Sequence, residues 1–166
     1  MKDIKLNILV LTLSDRASKG EYEDKSGPRI RELIKDFFED LGWNNNIKSD
    51  IIPDNAEMFK KKLEEARNEF DIIFTTGGTG IGPRDITPEV VKPLLDKEIP
   101  GIMEMIRIKY GAEKPNALLS RGVAGVMGKS LIYTLPGSLR AVNEYMTEIL
   151  KTLEHLIYMQ RGIDAH

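Results

Sequence analysis

The strongest constraint on the fold is an almost continuous apolar run near the start of the chain, LNILVLTL at residues 6–13. A strand with one face in water would alternate apolar and polar residues, and this run does not. It is therefore typical of a strand that is buried on both faces. A second run of this kind, DIIFTT, occupies residues 71–76. Because such strands occur in parallel sheets that helices cover, we expect an α/β fold.

Segments with helical periodicity alternate with these strands. Apolar residues three and four positions apart predict helices at residues 26–41, 58–70, 89–96, 101–110 and 142–162. Pro93 is expected to bend the third of them. A short strand is predicted at residues 47–52, and strands at 123–126 and 130–135 are expected to form a hairpin around a tight Gly-Lys turn. This alternation predicts an α/β sandwich with a mostly parallel central sheet.

Length and composition are those of an ordinary globular protein. With 166 residues, 41% of them hydrophobic and 30% charged, we expect one domain spanning residues 1–166. The net charge of −2 and the lack of a Lys/Arg block argue against nucleic-acid binding. No apolar run approaches the roughly 20 residues of a membrane-spanning helix. The apolar stretch at 8–13 is too short for a signal peptide, and no small-residue cleavage site follows it.

The chain offers almost no cysteine or histidine chemistry. Cysteine is absent, which excludes disulfides, thiol catalysis and thiolate metal sites, and we expect a cytoplasmic protein that does not associate with membranes. His155 lies in the middle of a predicted helix, and His166 is the last residue. Neither is placed to build a site. Any site is therefore expected to use hydroxyl, carboxylate and backbone groups.

The second apolar run leads directly into a glycine-rich segment, FTTGGTGIGPRDITPE at residues 74–89. Successive backbone N–H groups at Gly77, Gly78 and Gly80 are able to form a concave nest that holds an anion. The hydroxyl groups of Thr75, Thr76 and Thr79 add further donors. The alternative is a turn that merely connects a strand to a helix, but three glycines with three threonines favour phosphate binding. Thr87 and Pro88 are expected to be the N-cap and first residue of the following helix.

Two familiar phosphate motifs do not fit. The segment GVAGVMGKS at residues 122–130 ends like a P-loop, but its spacing is wrong and it continues into an apolar strand. The segment GTGIG at residues 78–82 resembles the start of a dinucleotide fingerprint, but Pro83 stands where the last glycine belongs. A P-loop enzyme and a Rossmann dehydrogenase are therefore poorly supported.

The polar loops of the chain are expected to meet at one edge of the sheet. Ligands of open α/β sheets bind beyond the carboxyl ends of the strands, which selects the loops at residues 14–26, 77–87 and 136–138. Ser14 and Asp15 directly follow the first strand, although Asp15 has the alternative of pairing with Arg16. Ser26 and Ser138 are expected first to cap helices and second to contact a ligand. The helix that starts after Pro136, Gly137 and Ser138 offers its N-terminus to an anion.

Two aspartates are candidates for metal binding. Asp85 is the only carboxylate in the glycine loop, by which we mean residues 77–87, and its alternative role is a turn residue or a solvated partner of Arg84. Asp54 follows a predicted strand, where Asp54 or Asn55 is expected to cap the next helix with Glu57 completing a capping box. If both aspartates lie at the same edge, their oxygens are suited to hold Mg²⁺ between phosphates.

The segments LTLSDRASKGEYEDKSGPR, IIPD, TTGGTGIGPRDITPE, LSRGVAG and LPGS, in this order and spacing, resemble the MogA/MoaB family of molybdopterin adenylyltransferases, which is related to the gephyrin G domain. The resemblance covers nearly the whole chain. It implies a three-layer α/β/α fold, a homotrimer, and transfer of AMP from ATP to the terminal phosphate of molybdopterin with release of pyrophosphate. It also implies Mg²⁺ as a cofactor and hand-over of the product to the molybdenum insertion protein.

The resemblance also assigns roles to individual residues. Asp54 and Asp85 match the two functional aspartates of the family, and we expect them to bind or orient Mg²⁺. Arg84 is a further candidate for stabilising charge. The positions that match the phosphate-binding loop are Thr76, Gly77, Gly78, Thr79 and Gly80. Those that match ligand-lining positions are Ser14, Ser26, Ser120, Pro136, Gly137 and Ser138, and Asp15 is a binding candidate through its place after the first strand.

The branch of the family and the activity itself stay open at the level of sequence. The motif SDRAS favours the MogA branch, whereas LSRGVAGV and the Ser138-Leu139 pair after Pro136-Gly137 favour the MoaB branch. A non-catalytic molybdopterin-binding or scaffolding trimer is one alternative, against which the two intact aspartates count. An unrelated kinase or NTPase is another, against which the broken P-loop spacing counts.

Overall fold

The computed structural model describes residues 4–164, so that His166 lies outside the described residues. Within this range one sheet contains six strands, namely β1 (Lys5–Leu13), β2 (Asn44–Ile52), β3 (Ile72–Thr76), β4 (Lys97–Glu98), β5 (Ala124–Met127) and β6 (Ser130–Leu135). Their order across the sheet is β2-β1-β3-β6-β5-β4. The first four strands of this order are parallel, and β5 is antiparallel to both of its neighbours. The predicted mostly parallel sheet is confirmed.

Six α-helices accompany the sheet within the described range, namely α1 (Asp15–Ser18), α2 (Ser26–Asp40), α3 (Ala56–Ala66), α4 (Thr87–Val91), α5 (Pro100–Glu113) and α6 (Leu139–Gln160). Two 3₁₀ turns, Lys92–Leu94 and Pro115–Leu119, follow α4 and α5. None of the helices in residues 4–164 is long and apolar enough to cross a membrane.

The helices cover both faces of the sheet and create two hydrophobic cores. One core joins α2, α5 and α6 to the sheet, and the other joins α3 and α4 to the opposite face. Strand β1 serves both cores, because alternate side chains of a strand point to opposite faces. Its residues Leu6, Ile8 and Val10 belong to the first core, and Leu9, Leu11 and Leu13 to the second. This explains the unbroken apolar run and confirms the three-layer α/β/α sandwich.

The register of the sheet brings four strand ends together. Leu13 pairs with Ile52, Thr12 pairs with Thr76, and Thr76 pairs with Leu135. The loops after β1, β2, β3 and β6 therefore start side by side at one edge. This is the arrangement expected for the loops at residues 14–26, 77–87 and 136–138, and it adds the loop that carries Asp54.

Several local predictions are confirmed. Strands β5 and β6 form the predicted hairpin, and Gly128 in its turn has a φ of +60°. Asn55 caps α3, since its side chain accepts the N–H of Met58 at 2.9 Å. Ser138 caps α6 by accepting the N–H of Ala141 at 3.2 Å.

Other local predictions need correction. The helix expected at residues 89–96 starts earlier and gives way at Lys92 to a 3₁₀ turn, because Pro93 has no N–H for the helical hydrogen-bond ladder. The loop at residues 14–26 contains the short helix α1. Strand β2 extends back to Asn44, since pairing with β1 outweighs the low strand propensity of three asparagines. The two-residue strand β4 was not predicted.

Candidate active site

The glycine loop turns sharply where β3 ends. Gly77 and Gly78 have φ values of +100° and +68°, a region that favours glycine. A Cβ atom on Gly77 would lie 2.4 Å from the carbonyl oxygen of Leu13, and one on Gly78 would lie 2.5 Å from Oγ1 of Thr87. Both positions therefore require glycine, for backbone conformation and for close approach to neighbouring segments.

The predicted nest of N–H groups is only partly available. Gly77 donates its N–H to the carbonyl oxygen of Leu135 at 2.9 Å, so this group serves the sheet. For the N–H groups of Gly78, Thr79 and Gly80, no acceptor lies within hydrogen-bonding geometry in residues 4–164. Three successive N–H donors thus remain for a ligand, and they differ from the sequence prediction in that Thr79 takes the place of Gly77.

The hydroxyl groups of Thr76 and Thr87 hold the glycine loop in place. The hydroxyl of Thr76 donates to the carbonyl oxygen of Pro136 at 2.9 Å and so ties the loop after β3 to the loop after β6. The predicted role of Thr87 as an N-cap is wrong, because α4 begins at Thr87 and the hydroxyl donates to the carbonyl oxygen of Gly77 at 2.9 Å. Thr75 is fully buried in β3 and its Oγ1 has no hydrogen-bond partner in the described residues.

Asp85 folds back against the glycine loop. Its Oδ2 accepts the N–H of Gly82 at 2.8 Å, and its own N–H donates to the carbonyl oxygen of Gly82 at 3.1 Å. Cβ atoms on Gly80 and Gly82 would lie 2.7 and 2.9 Å from the same Oδ2. The glycines thus make room for the carboxylate. Asp85 is a turn residue, as one interpretation of the sequence has it, and its Oδ1 makes no hydrogen bond within residues 4–164.

Asp54 pairs with Asp15 and leaves helix capping to Asn55. The N–H of Asp15 donates to Oδ2 of Asp54 at 3.1 Å, and the N–H of Asp54 donates to Oδ1 of Asp15 at 2.9 Å. The predicted capping box is also absent, because with Asn55 as N-cap the third helical position is Met58 and not Glu57. The Asp54 carboxyl is thereby free for another role at the edge of the sheet.

Burial is the main cause that raises the pKa of Asp54, with further contributions from the negative charges of Asp15 and Asp85. The hydrogen bond from the Asp15 N–H and the positive charge of Arg84 act in the opposite direction. A carboxyl whose charge is disfavoured in this way gains from a bound cation, which would replace the missing positive charge.

The two nearby arginines pair differently from the sequence interpretation. Nη1 of Arg84 lies 3.5 Å from Oδ2 of Asp15, so Asp15 and not Asp85 is its carboxylate partner. Arg16 does not form the alternative pair with Asp15, and its guanidinium lies 5.0 Å from the ring centroid of Tyr22. The arginines therefore line the site without neutralising Asp54 or Asp85 directly.

Two cavities meet at the glycine loop. The smaller one, which we call the acidic cavity, has a volume of about 340 Å³. It is lined by Leu13, Ser14, Asp15, Arg16, Asp54, Gly78, Gly82, Pro83, Arg84 and Asp85. The larger one, which we call the main cavity, has a volume of about 800 Å³ and lies on the other side of the loop. Gly78 and Asp85 line both, so that these two residues form the wall between the cavities.

The main cavity contains most of the predicted binding residues. It is lined by Gly77, Gly78, Thr79, Gly80, Ser120, Pro136, Gly137 and Ser138, as well as by apolar side chains such as Ile81 and Leu119. Lys114 and Arg140 stand at its rim, and both form ion pairs with Glu144. Two cations share one carboxylate there, and with Asp85 the charged side chains of the lining balance.

Two neighbouring hydroxyl groups, those of Ser120 and Tyr145, belong to side chains that line the main cavity. Ser120 Oγ and Tyr145 Oη are both buried, and neither makes a hydrogen bond of normal geometry within the described residues. Burial raises the pKa of Tyr145, and the nearby Ser120 hydroxyl and Arg107 oppose this rise. Because an unpaired buried hydroxyl is unfavourable, the part of the main cavity next to Ser120 and Tyr145 is suited to a polar ligand atom. Tyr145 was not singled out from the sequence, since nothing distinguishes it from the apolar stripe of its helix.

Ser14 and Ser26 have structural roles. Ser14 lines the acidic cavity and caps α1, accepting the N–H of Ala17 at 3.2 Å. The predicted role of Ser26 as a cap is wrong, because α2 begins at Ser26 and Oδ1 of Asp24 accepts both the Ser26 hydroxyl and the N–H of Gly27. Oδ2 of Asp24 also accepts the hydroxyl of Thr12 at 2.7 Å. An aspartate three residues before a helical N–H has the spacing of a cap, and this signal in the sequence was missed.

No complete metal site is preformed. Within residues 4–164, no three acidic or histidine side chains converge closely enough to hold a metal ion on their own. Mg²⁺, however, is usually bound by one or two carboxylates together with substrate phosphates and water. Oδ1 of Asp54 and Oδ1 of Asp85 make no hydrogen bonds within the described range, so the residues present fit that mode of binding.

Comparisons with known proteins agree with this architecture. The family described as "Probable molybdopterin binding domain" matches residues 9–155. The Molybdopterin adenylyltransferase of Helicobacter pylori is 36% identical over 159 residues, which cover 95% of this chain and 89% of that protein. The crystal structure of the Molybdopterin biosynthesis enzyme MoaB from Thermus thermophilus superimposes with a TM-score of 0.81 at 38% identity, covering 95% of this chain and 97% of that one.

Some relatives are much longer. The Molybdenum cofactor synthesis protein cinnamon of Drosophila melanogaster is 38% identical over 152 residues, which cover 90% of this chain but only 25% of that protein. The chain thus spans about a quarter of that relative's length. The matched family covers most of the chain. The chain belongs to the family of probable molybdopterin binding domains found in MogA/MoaB-type proteins of molybdenum cofactor biosynthesis.

Proposed function

We propose that this protein is a molybdopterin adenylyltransferase, which transfers AMP from ATP to the terminal phosphate of molybdopterin and releases pyrophosphate. The observation that carries the proposal is the wall formed by Gly78 and Asp85 between two cavities. A reaction between two phosphorylated substrates needs two binding sites whose phosphates meet at one point. Free N–H groups and a carboxylate lie at that point in this fold.

The charges around the cavities favour one assignment of the substrates. The acidic cavity carries the carboxylates of Asp15, Asp54 and Asp85 beside the guanidinium groups of Arg16 and Arg84, so that carboxylates predominate and favour a phosphate with a bound cation. We therefore assign the Mg²⁺-bound phosphates of ATP to this side. The main cavity has apolar walls, which suit a flat ring system, and Lys114 and Arg140 in its lining are available to contact an anionic group, although Asp85 and Glu144 balance their charge. We assign molybdopterin to this side.

The residues at the wall match the chemistry of the transfer. An oxygen of the molybdopterin phosphate attacks the α-phosphorus of ATP, and the bond from this phosphorus to the oxygen bridging the β-phosphate breaks. The nucleophile is already anionic near neutral pH, so no protein base is needed. The site indeed offers no histidine or cysteine for that purpose. The protein then acts by positioning both substrates, with the N–H groups of Gly78, Thr79 and Gly80 donating to phosphate oxygens.

Mg²⁺ would supply positive charge that offsets the growing negative charge on the phosphate oxygens. Asp54 and Asp85 are the residues that would hold it. The raised pKa of Asp54 supports this role, because burial and, to a smaller extent, the nearby negative charges disfavour its charged form, and a bound cation would offset both. Arg84, paired with Asp15 at the mouth of the acidic cavity, is placed to interact with a phosphate group.

The proposal is tested by measuring pyrophosphate release with ATP, Mg²⁺ and molybdopterin. We expect release by the wild type, and a loss of at least about a hundredfold for Asp85→Asn, with molybdopterin binding retained. Asp50→Asn is a matched control, because Asp50 is an exposed aspartate on β2 that pairs with Lys62 of α3. Full activity of Asp85→Asn would contradict the role of this residue.

The same assay separates the alternatives. Molybdopterin binding without pyrophosphate release by the wild type would identify a binding or scaffolding protein. Hydrolysis of ATP without molybdopterin would identify an NTPase. A homotrimer and hand-over of the product to a molybdenum insertion protein stay predictions from the resemblance, and the first is measurable by analytical ultracentrifugation.

A further inference from the structure

We propose that Arg121 is a positioning residue that fixes the conformation of the glycine loop and so places Asp85 and the free N–H groups. Arg121 lines neither the acidic cavity nor the main cavity but a separate cavity of about 470 Å³, so with respect to the two proposed substrate sites it acts through the loop. The part of this inference that concerns catalysis rests on the proposed function. The part that concerns the loop rests on contacts of the free protein.

Arg121 contacts the glycine loop at three points along its length. Its backbone N–H donates to the carbonyl oxygen of Thr79 at 2.9 Å. In its side chain, Nε donates to the carbonyl oxygen of Gly80 at 2.9 Å, and Nη2 donates to the carbonyl oxygen of Asp85 at 3.1 Å. One residue therefore holds both ends of the segment from Thr79 to Asp85.

The arginine is itself held at a fixed place. Its Nη1 pairs with the carboxylate of Glu89 in the first turn of α4, and this hydrogen bond lowers the pKa of Glu89. On the other side, Arg121 leads into β5 through Gly122 and Val123. The N–H of Val123 donates to the buried hydroxyl of Thr134 at 2.7 Å. The side chain of Arg121 thus connects the loop to α4, and its backbone connects the loop to the sheet.

The loop needs such a contact from outside. Its glycines contribute little to a single conformation, because glycine has the largest conformational freedom of all residues. Inside the segment, the contacts between Gly82 and Asp85 are the hydrogen bonds that restrain the turn. They fix Asp85 relative to Gly82, but they do not fix the turn relative to the sheet. The contacts of Arg121 fix the turn relative to the sheet.

The geometry also explains why the residue is an arginine. A guanidinium is planar and carries several N–H groups in a fixed fork, so it is able to serve two carbonyl oxygens and a carboxylate at once. A lysine has a single ammonium group on a flexible stem. Arg121→Lys is therefore expected to keep the charge and to lose most of the positioning.

The first test is hydrogen exchange of the ligand-free protein. For Arg121→Ala, and to a similar extent for Arg121→Lys, we expect the amides of Gly82 and Asp85 to exchange at least about tenfold faster, while the amides of β1 are unchanged. Arg31→Ala is the matched control, because Arg31 also donates to a backbone carbonyl, that of Ile47 at 3.0 Å, but away from the loop. Glu89→Gln removes only the ion pair with Arg121. For this variant we expect the logarithm of the exchange rate at Gly82 and Asp85 to change by less than half as much as in Arg121→Ala.

Three results would overturn the inference. Unchanged exchange at Gly82 and Asp85 in Arg121→Ala would show that the loop does not depend on the arginine. Faster exchange throughout β1 and α6 would show a role in overall stability instead. An effect of Glu89→Gln as large as that of Arg121→Ala would assign the role to the ion pair and not to the carbonyl contacts.

The second test uses the kinetics of pyrophosphate release. Since a displaced loop still binds ATP but stabilises the transition state less, we expect Arg121→Ala to lower kcat by about tenfold or more and to change KM for ATP by less than about threefold. An unchanged kcat would contradict the link to catalysis. If the wild type itself releases no pyrophosphate, the proposed function fails, whereas the exchange experiment still decides whether Arg121 positions the loop.

Discussion

Asp15 and Asp54 hold each other through two reciprocal hydrogen bonds, in which the backbone N–H of each residue donates to the carboxylate of the other at 3.1 and 2.9 Å. The pair joins the loops after β1 and β2 at the edge of the sheet. Burial raises the pKa of Asp54, the hydrogen bond from the Asp15 N–H opposes this rise, and the negative charge of Asp15 adds to it to a smaller extent. Such an arrangement is unfavourable for the empty site and favourable for binding a cation.

The first prediction concerns Asp54→Asn. The asparagine oxygen is still able to accept the N–H of Asp15, while the charge is lost. The folded state holds the Asp54 proton more tightly than the unfolded state, so the charged carboxylate lowers stability as pH rises above the ordinary aspartate value of 3.8. We therefore expect the free energy of unfolding of Asp54→Asn at pH 7 to equal or exceed that of the wild type, as measured by urea denaturation.

The same substitution is expected to abolish Mg²⁺-dependent pyrophosphate release. Improved or equal stability together with lost activity separates a functional carboxylate from a structural one. A marked loss of stability in Asp54→Asn would instead mean that the negative charge itself holds the loops together.

The second prediction concerns Gly78→Ala. Its φ of +68° disfavours any side chain by about 1 kcal/mol. In addition, the new Cβ would lie 2.5 Å from Oγ1 of Thr87, whose hydrogen bond to Gly77 closes the loop. We expect a loss of about 2 kcal/mol or more in the free energy of unfolding, together with loss of activity. Gly42→Ala is the control, because Gly42 has the same φ with no atom within 4 Å of a new Cβ. Equal effects of the two substitutions would refute a role for the contact with Thr87.

The third prediction concerns the buried Glu148 on α6. Lys109 and Lys151 donate to its two carboxylate oxygens at 2.5 and 2.7 Å, and Tyr110 donates at 3.1 Å. The hydrogen bonds from Lys109 and then Lys151 lower the pKa of Glu148 to about 2. A lowered carboxylate pKa stabilises the fold above the ordinary value of 4.5, and this contribution is lost as pH falls towards 2.

We therefore expect Glu148→Gln to lower the free energy of unfolding at pH 7 by about 1–2 kcal/mol, since both ammonium groups are half exposed and screened. The difference from the wild type should shrink as the pH is lowered from 4.5 towards 2. Glu39→Gln is the control, because Glu39 forms an exposed ion pair with Lys35 at 3.6 Å, and we expect a change below about 0.5 kcal/mol. A pH-independent difference for Glu148→Gln would rule out the ionic explanation.

The fourth prediction concerns Tyr133 in the centre of the sheet. Its hydroxyl is buried without a partner in the described residues, and burial raises the pKa of the side chain far above its usual range. Its ring stacks on Phe74 with centroids 5.3 Å apart. Tyr133→Phe keeps the stack and removes the unpaired group, so we expect a Tm equal to or above that of the wild type.

Tyr110→Phe is the matched control for that experiment, because it removes a hydroxyl that donates to Glu148 at 3.1 Å. We expect this variant to lose about 1 kcal/mol. A destabilised Tyr133→Phe would indicate that the hydroxyl has a partner, for example a buried water molecule.

The general fold was predictable because burial leaves a direct trace in the sequence. The run at residues 6–13 supplies both cores, and its lack of alternation identified a central parallel strand. Local boundaries were less predictable, as with Thr87, which begins α4 and donates to Gly77. A hydroxyl near a helix start is able either to cap the helix or to donate to a nearby carbonyl oxygen. The position of the Gly77 carbonyl oxygen in the folded protein decides for the second role.

The candidate site was predictable in its parts and not in its connections. Asp54, Asp85 and the glycines were proposed as site residues from the sequence, and the expectation that the aspartates bind a ligand came through the family resemblance and stays a prediction. The reciprocal pair of Asp15 with Asp54, and the choice of Asn55 as the cap, depend on how the β1 and β2 ends align. The contacts of Arg121 join residues about 40 positions apart, and no local pattern reports such a contact.

The sequence alone determined the α/β class, the position of the glycine loop and the kinds of group available for phosphate chemistry, because hydrophobic periodicity and glycine content are local properties. Only the tertiary structure decided which N–H groups remain free, which carboxylate oxygens are unpaired, and that Gly78 and Asp85 form the wall between two cavities. These features arise where the ends of four parallel strands meet. The register of the sheet, which long-range packing sets, determines which residues of the loops after these strands become neighbours.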